Sequence, residues 1–114
     1  MPYIEMKTTA RLTDETCEHL KTAFGEAIAL FPGKSERWLM VDLKGDEQIW
    51  LGGDNAEDSA ILSVDLYGGA DADAANKMTA AICEILSREL AIRPDRVYIK
   101  YSGFSLWGWN GANF

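Results

Sequence analysis

Ala60-Ile61-Leu62-Ser63-Val64-Asp65-Leu66-Tyr67-Gly68-Gly69 reads as a β-strand with its own stop. Leu62, Val64 and Leu66 alternate with Ser63 and Asp65, the period-two pattern of a strand with one face on a core. Beyond the paired glycines, acidic Asp71 and Asp73 supply an N-terminus for a helix whose Met78, Ala81, Ile82, Ile85 and Leu86 fall on one stripe. Arg93-Pro94-Asp95 breaks that helix, because proline cannot continue it. Residues 96–101 then form another strand. Two strands joined through a helix run parallel, so the second half of the chain is a β-α-β unit.

The first half repeats this plan. Residues 2–9 read as a strand, Thr13 with Asp14 offers an N-cap, and Cys17, Leu20, Phe24, Ile28 and Phe31 recur at helical spacing. Phe31-Pro32-Gly33 stops the helix, and residues 38–43 give the next strand. The two units lie roughly sixty residues apart, a spacing that marks internal duplication. The expectation is one domain over residues 1–114, with halves of about 1–58 and 59–114. Its fold class is α/β in the α+β sense: a two-layer sandwich of two β-α-β units, with two helices on one face of a four-stranded mixed sheet.

Leu39, Val41 and Leu43, then Leu62, Val64 and Leu66, then Val97, Ile99 and Tyr101 are the phases that belong under the helices. The opposite phases mix Trp38, Met40 and Tyr67 with Asp42, Asp65, Tyr98 and Lys100. Such a face is too apolar for open water and too polar for a dry core. It fits a sheet buried against copies of itself around a partly hydrated centre, which means a cyclic oligomer. Residues 47–51 read as a short strand-like piece, and residues 105–114 as an aromatic tail; both are expected to cap sheet edges on neighbouring subunits. Residues 53–59 form a polar loop without evident chemistry.

Composition narrows the function. The chain has 114 residues, is 47% hydrophobic and carries a formal charge of −7. That charge and its scattered cations argue against nucleic acid. No apolar run approaches the ~20 residues of a membrane span, and no basic segment followed by an apolar one opens the chain. The expected location is the cytosol, or outside the cell by a route that needs no signal. Cys17 and Cys83 are expected as buried reduced thiols, and His19, the only histidine, as a solvated side chain. A Ser-His-Asp triad or a two-histidine metal site is hard to assemble, which leaves amines, phenols and carboxylates. Met1-Pro2 then matters: loss of the initiator Met would expose a proline with a free secondary amine. An α-amino group titrates at roughly 7.7 to 8.0, and apolar burial lowers that value toward the range of an efficient general base.

The string Arg93-Pro94-Asp95-Arg96-Val97-Tyr98-Ile99 with Tyr101, joined to Met1-Pro2, Gly33-Lys34, residues 48–53, Gly68-Gly69 and Gly108-Trp109-Asn110, resembles the macrophage migration inhibitory factor family of the tautomerase superfamily. The resemblance covers nearly the whole length. It implies a homotrimer whose three sheets enclose a channel as a barrel, with active sites at subunit interfaces and no metal or cofactor. It implies keto-enol tautomerisation of phenylpyruvate-like acids and isomerisation of dopachrome-like ones, hence a small aromatic keto-acid substrate. By position, Pro2 becomes the base and Lys34 the cation that meets the carboxylate or enolate. Tyr67 stands beside the proline, Trp38, Trp107, Trp109 and Phe114 form walls, and Tyr98 reaches in from the adjacent subunit.

Several positions depart from the family pattern. Lys100 replaces an asparagine of the mammalian cytokine; it either acts on the substrate or pairs with Asp65 or Asp42. Tyr67 and Trp107 narrow the pocket, and the cytokine's CxxC is absent, so thiol oxidoreductase chemistry is not expected. Lys34 also reads as a plain loop lysine, and Trp109 and Phe114 as interface packing. Two other functions compete with tautomerisation. One is a cytokine-like interaction protein that binds a receptor. The other is hydration, dehalogenation or decarboxylation of a short acid, which needs an added carboxylate; Glu36 and Arg37 are close in sequence, with unknown directions.

Overall fold

The computed structural model describes residues 1–114. Strand β1 (Pro2–Thr8), helix α1 (Asp14–Ala27) and strand β2 (Met40–Lys44) make the first unit. Strand β3 (Ala60–Tyr67), helix α2 (Ala72–Leu90) and strand β4 (Val97–Phe104) make the second, and a hairpin of β5 (Gly108–Trp109) and β6 (Ala112–Asn113) follows. The main sheet runs β2-β1-β3-β4, with parallel pairs β1/β2 and β3/β4 and an antiparallel junction of β1 with β3. This is the mixed sheet that the doubled unit predicts.

Side-chain alternation decides where the core sits. Ile4, Met6, Leu62, Val64 and Leu66 project from the two central strands and are fully buried, as are Leu20, Phe24 and Ile28 of the first helical segment and Met78, Ile82 and Leu86 of α2. Leu39, Val41, Leu43, Val97, Ile99 and Tyr101 share that face and pack on the same core, but stay half-buried because β2 and β4 are sheet edges. Both helices start as the sequence indicates. The Thr13 hydroxyl accepts from the Thr16 N–H at 3.1 Å, and the Asp71 carboxylate accepts from the Ala74 N–H at 2.8 Å, each occupying a backbone donor that the first turn leaves free.

Four local expectations change. Trp38 does not open β2; residues Glu36–Trp38 form a 3-10 turn, closed by the Leu39 N–H on the Glu36 carbonyl at 3.1 Å, and β2 begins at Met40. Residues 47–51 are no strand. Leu51 makes a single bridge with Asp54 across Gly52 and Gly53, both at positive φ. The last main strand runs past Tyr101 to Phe104, because Gly103 lets β4 close on the Gly68 backbone: the Gly68 N–H donates to the Phe104 carbonyl at 2.9 Å, and a Cβ on Gly103 would collide with the Gly68 oxygen. Finally, the tail returns onto its own chain. Asn110 and Gly111 both have positive φ, the backbone of a tight hairpin turn that matches strand twist, and this reverses β5 into β6.

Cys17 and Cys83 are free and half-buried rather than enclosed. The polar loop ahead of β3 is held by Arg96, which is 7% exposed and donates to the Ser59 hydroxyl at 2.9 Å and to the Asp54 carbonyl at 2.9 Å. No helix is long and apolar enough to cross a membrane.

Candidate active site

Pro2 is buried at the start of β1, opposite Leu66 of β3. Proline is tolerated at the first residue of a strand because its missing N–H removes no ladder bond there. Around it lies a cavity of about 560 Å3, whose wall includes Tyr3, Arg37, Trp38, Trp107 and Trp109. A second cavity of about 370 Å3 adjoins it, lined by Gly33, Trp38, Tyr67, Trp109 and Phe114, and Met1 belongs to both walls. The 3-10 turn and the C-terminal hairpin together build the partition. Trp38 meets Trp109 edge-on with centroids 5.2 Å apart, Trp109 lies nearly parallel to Phe114 at 6.3 Å, and Phe114 leans on Tyr67 at 5.2 Å.

Lys34 is positioned by the turn before it. Its N–H donates to the Phe31 carbonyl at 3.1 Å, with Pro32 and a Gly33 at φ 78° between them, as in a type II turn. The half-buried ammonium donates to the Tyr67 carbonyl at 2.9 Å, at the end of β3 that borders Pro2. It also acts on the chain terminus. Burial first, then the Lys34 charge and its hydrogen bond, push the Met1 amine below its ordinary value. The Met1 carbonyl in turn accepts from the Tyr67 N–H at 3.0 Å. Loss of Met1 would free both that N–H and the Pro2 nitrogen.

Pro2, Lys34, Tyr67, Trp38, Trp107, Trp109 and Phe114 therefore converge at one end of the sheet. Tyr98 and Lys100 stand elsewhere in the same chain. Tyr98 pairs with Ile61 of β3, five residues along the strand from the Leu66 that faces Pro2, or roughly 16 Å at the usual strand rise. Both are exposed. Lys100 forms no ion pair with Asp65 or Asp42; Asp42 is instead bound by the Lys44 ammonium at 2.6 Å and the Tyr3 hydroxyl at 2.9 Å. Burial and that bond to Asp42 push the Tyr3 phenol up to about 12, so it remains a donor at physiological pH.

Glu36 and Arg37 part company. The Glu36 carboxylate lies against α1 where Gly25 has no Cβ, so closely that any side chain at Gly25 would displace it. It is not in the wall of the Pro2 cavity. Arg37 lines that cavity and sits over the Trp38 ring at 5.0 Å. Sequence reading did not place Arg37 in the site. Two neighbours on a turn point in opposite directions, and neither strand nor helix periodicity reports on a turn.

The profile of the family described as macrophage migration inhibitory factor matches residues 1–114. The Xenopus laevis macrophage migration inhibitory factor is 28% identical over 116 residues, covering 100% of this chain and 99% of that protein. The Rattus norvegicus protein of the same name is 31% identical over 91 residues, 78% of each chain. Among solved structures, that of Leishmania major MIF2 superposes with a TM-score of 0.92 at 26% identity, over 100% of this chain and 97% of that one. The aromatic recess around Pro2 thus sits in a chain that belongs to the macrophage migration inhibitory factor family.

Proposed function

We propose that the protein is a cofactor-independent keto-enol tautomerase of phenylpyruvate-like and dopachrome-like acids, assembled as a homotrimer and using Pro2 as its base once Met1 is removed. The observation that supports this reading is that Pro2 lines an aromatic cavity at the end of the sheet where Lys34 acts on the chain-terminal amine. In ketonisation, the neutral amine takes the enol O–H proton, the oxygen develops negative charge, and the resulting ammonium returns a proton to the benzylic carbon. Nothing is consumed. The base must hold a proton only briefly, which suits an amine whose pKa lies near the working pH.

Lys34 and the Tyr67 N–H freed by Met1 removal supply a cation and a backbone donor for the substrate's carboxylate or enolate oxygen. The indoles of Trp38 and Trp109 offer flat apolar walls for the aryl ring. In the trimer, Tyr98 of a neighbouring copy completes the rim, since its own chain keeps it roughly 16 Å along the strand from Pro2. The test is phenylpyruvate tautomerisation, followed by enol absorbance, on protein whose intact mass shows loss of the initiator Met. Pro2→Gly is expected to lower kcat/KM by about a hundredfold or more. Equal rates for the two proteins would remove the proposal.

A further inference from the structure

We propose that Arg37 binds a second anionic group on the substrate, so that this site is built for a 2-oxo acid with a carboxylate at each end of an apolar body. The identity of the 2-oxo end rests on the tautomerase reading above; the far end rests on Arg37.

Arg37 is one of five cations without a hydrogen-bonded or ionic partner, with Lys7, Arg11, Lys77 and Lys100, and of these five it alone lines the Pro2 cavity. Lys21, Lys44, Arg88 and Arg93 pair with carboxylates, and Arg96 donates to backbone carbonyls and Ser59. The Arg37 side chain makes no hydrogen bond or ion pair, although the chain carries −7 overall and its sequence neighbour is a glutamate turned onto α1. It is nonetheless held, with the guanidinium over the Trp38 ring. Such an anchor limits rotamer freedom while leaving five N–H donors unused, in the planar fork that matches a carboxylate. An exposed arginine that is stacked on an aromatic wall and lines a cavity is a prepared anion site.

The layout gives this second site its distance from the first. Lys34 holds the Tyr67 carbonyl beside the smaller cavity, whereas Arg37 lines the larger one. Trp38, Trp109 and Met1 are common to both walls. Excision of Met1 removes the only shared wall that is not an indole and joins the two spaces into one trough. Arg37 stands in its wall at one end, Lys34 lies beside the other, its floor carries Pro2 and its sides are aromatic. A ligand that fills the trough places one anion at Lys34, its apolar middle between the indoles, and a second anion at Arg37.

Phenylpyruvate and 4-carboxyphenylpyruvate, compared on the processed wild type and on Arg37→Gln, read the far end alone. The wild type is expected to favour the dianion about tenfold in kcat/KM, mainly through KM, and Arg37→Gln to lower that ratio about tenfold, with partial recovery in Arg37→Lys. A wild type without preference, or a ratio unmoved by Arg37→Gln, overturns the proposal. Binding of the same two acids by quenching of tryptophan fluorescence separates the two readings. Absent phenylpyruvate turnover would sink the tautomerase reading, while the ratio of the two Kd values, and its response to Arg37→Gln, still decides for or against Arg37.

Discussion

At the chain terminus, burial and the Lys34 ammonium both favour the neutral amine, so more of it is ready to accept a proton at pH 7 than in an unfolded chain. On processed protein Pro2 becomes the terminal amine, and its burial at the start of β1 near Lys34 is expected to act on it in the same direction. The low-pH limb of kcat/KM reports its titration in free enzyme, rising as the amine loses its proton and levelling off above its pKa. In Lys34→Gln the second cause of the shift is gone and the first remains. The limb should therefore move to higher pH, yet stay below the ordinary α-amino value, and the plateau should fall by about a hundredfold through loss of charge stabilisation at the oxygen. A pH-rate profile over the neutral range measures both. A limb that stays in place, or moves to lower pH, would show that the ammonium does not act on the base.

Much of the fold was legible because its elements are periodic. Leu62, Val64 and Leu66 alternate without interruption, the helical stripes are continuous, and Thr13 and Asp71 cap where their types suggest. What escaped was aperiodic. The turn at Glu36–Trp38 places Arg37 in the cavity, and the Asn110-Gly111 reversal carries Trp109 and Phe114 onto Trp38 and Tyr67; both are set by tertiary packing of indoles. The Asn-Gly pair was the available signal for the hairpin. Gly25 is similarly silent in sequence, since its reason is a carboxylate from eleven positions on. Helix α2 ends on a left-handed alanine. Ala91 takes φ 55° so that its own N–H meets Ser87 and the Ile92 N–H reaches the Leu86 carbonyl at 3.3 Å. Glycine suits this left-handed position and alanine does not, so Ala91→Gly should stabilise the fold by about 1 kcal/mol in denaturant melts. A loss of stability would mean that unfolded-chain entropy outweighs the relief of strain.

For the molecule as a whole, the distribution of exposed apolar surface suits the proposed partner of its own kind. Met40 is 67% exposed and Tyr98 61%, at opposite edges of one sheet, and Trp50 at 55% shares a groove of about 160 Å3 with Tyr98 and Ile61. Apolar area on both edges of a short sheet suits a ring, in which each copy covers the next and no edge is left over. The same closure would bring Tyr98 and Lys100 toward a neighbour's Pro2, so assembly and activity become linked. Sedimentation equilibrium should give the mass of three 12.6 kDa chains. Trp50→Glu puts a charge into the groove, where desolvating it without a partner costs several kcal/mol, and should yield monomers that keep their helical circular dichroism. Because Trp50 lines neither cavity at Pro2, any loss of phenylpyruvate turnover in that variant follows from lost neighbours, and should reverse as protein concentration drives reassembly. A folded, fully active monomer would separate the chemistry from the ring and assign the exposed aromatic edges to some other contact.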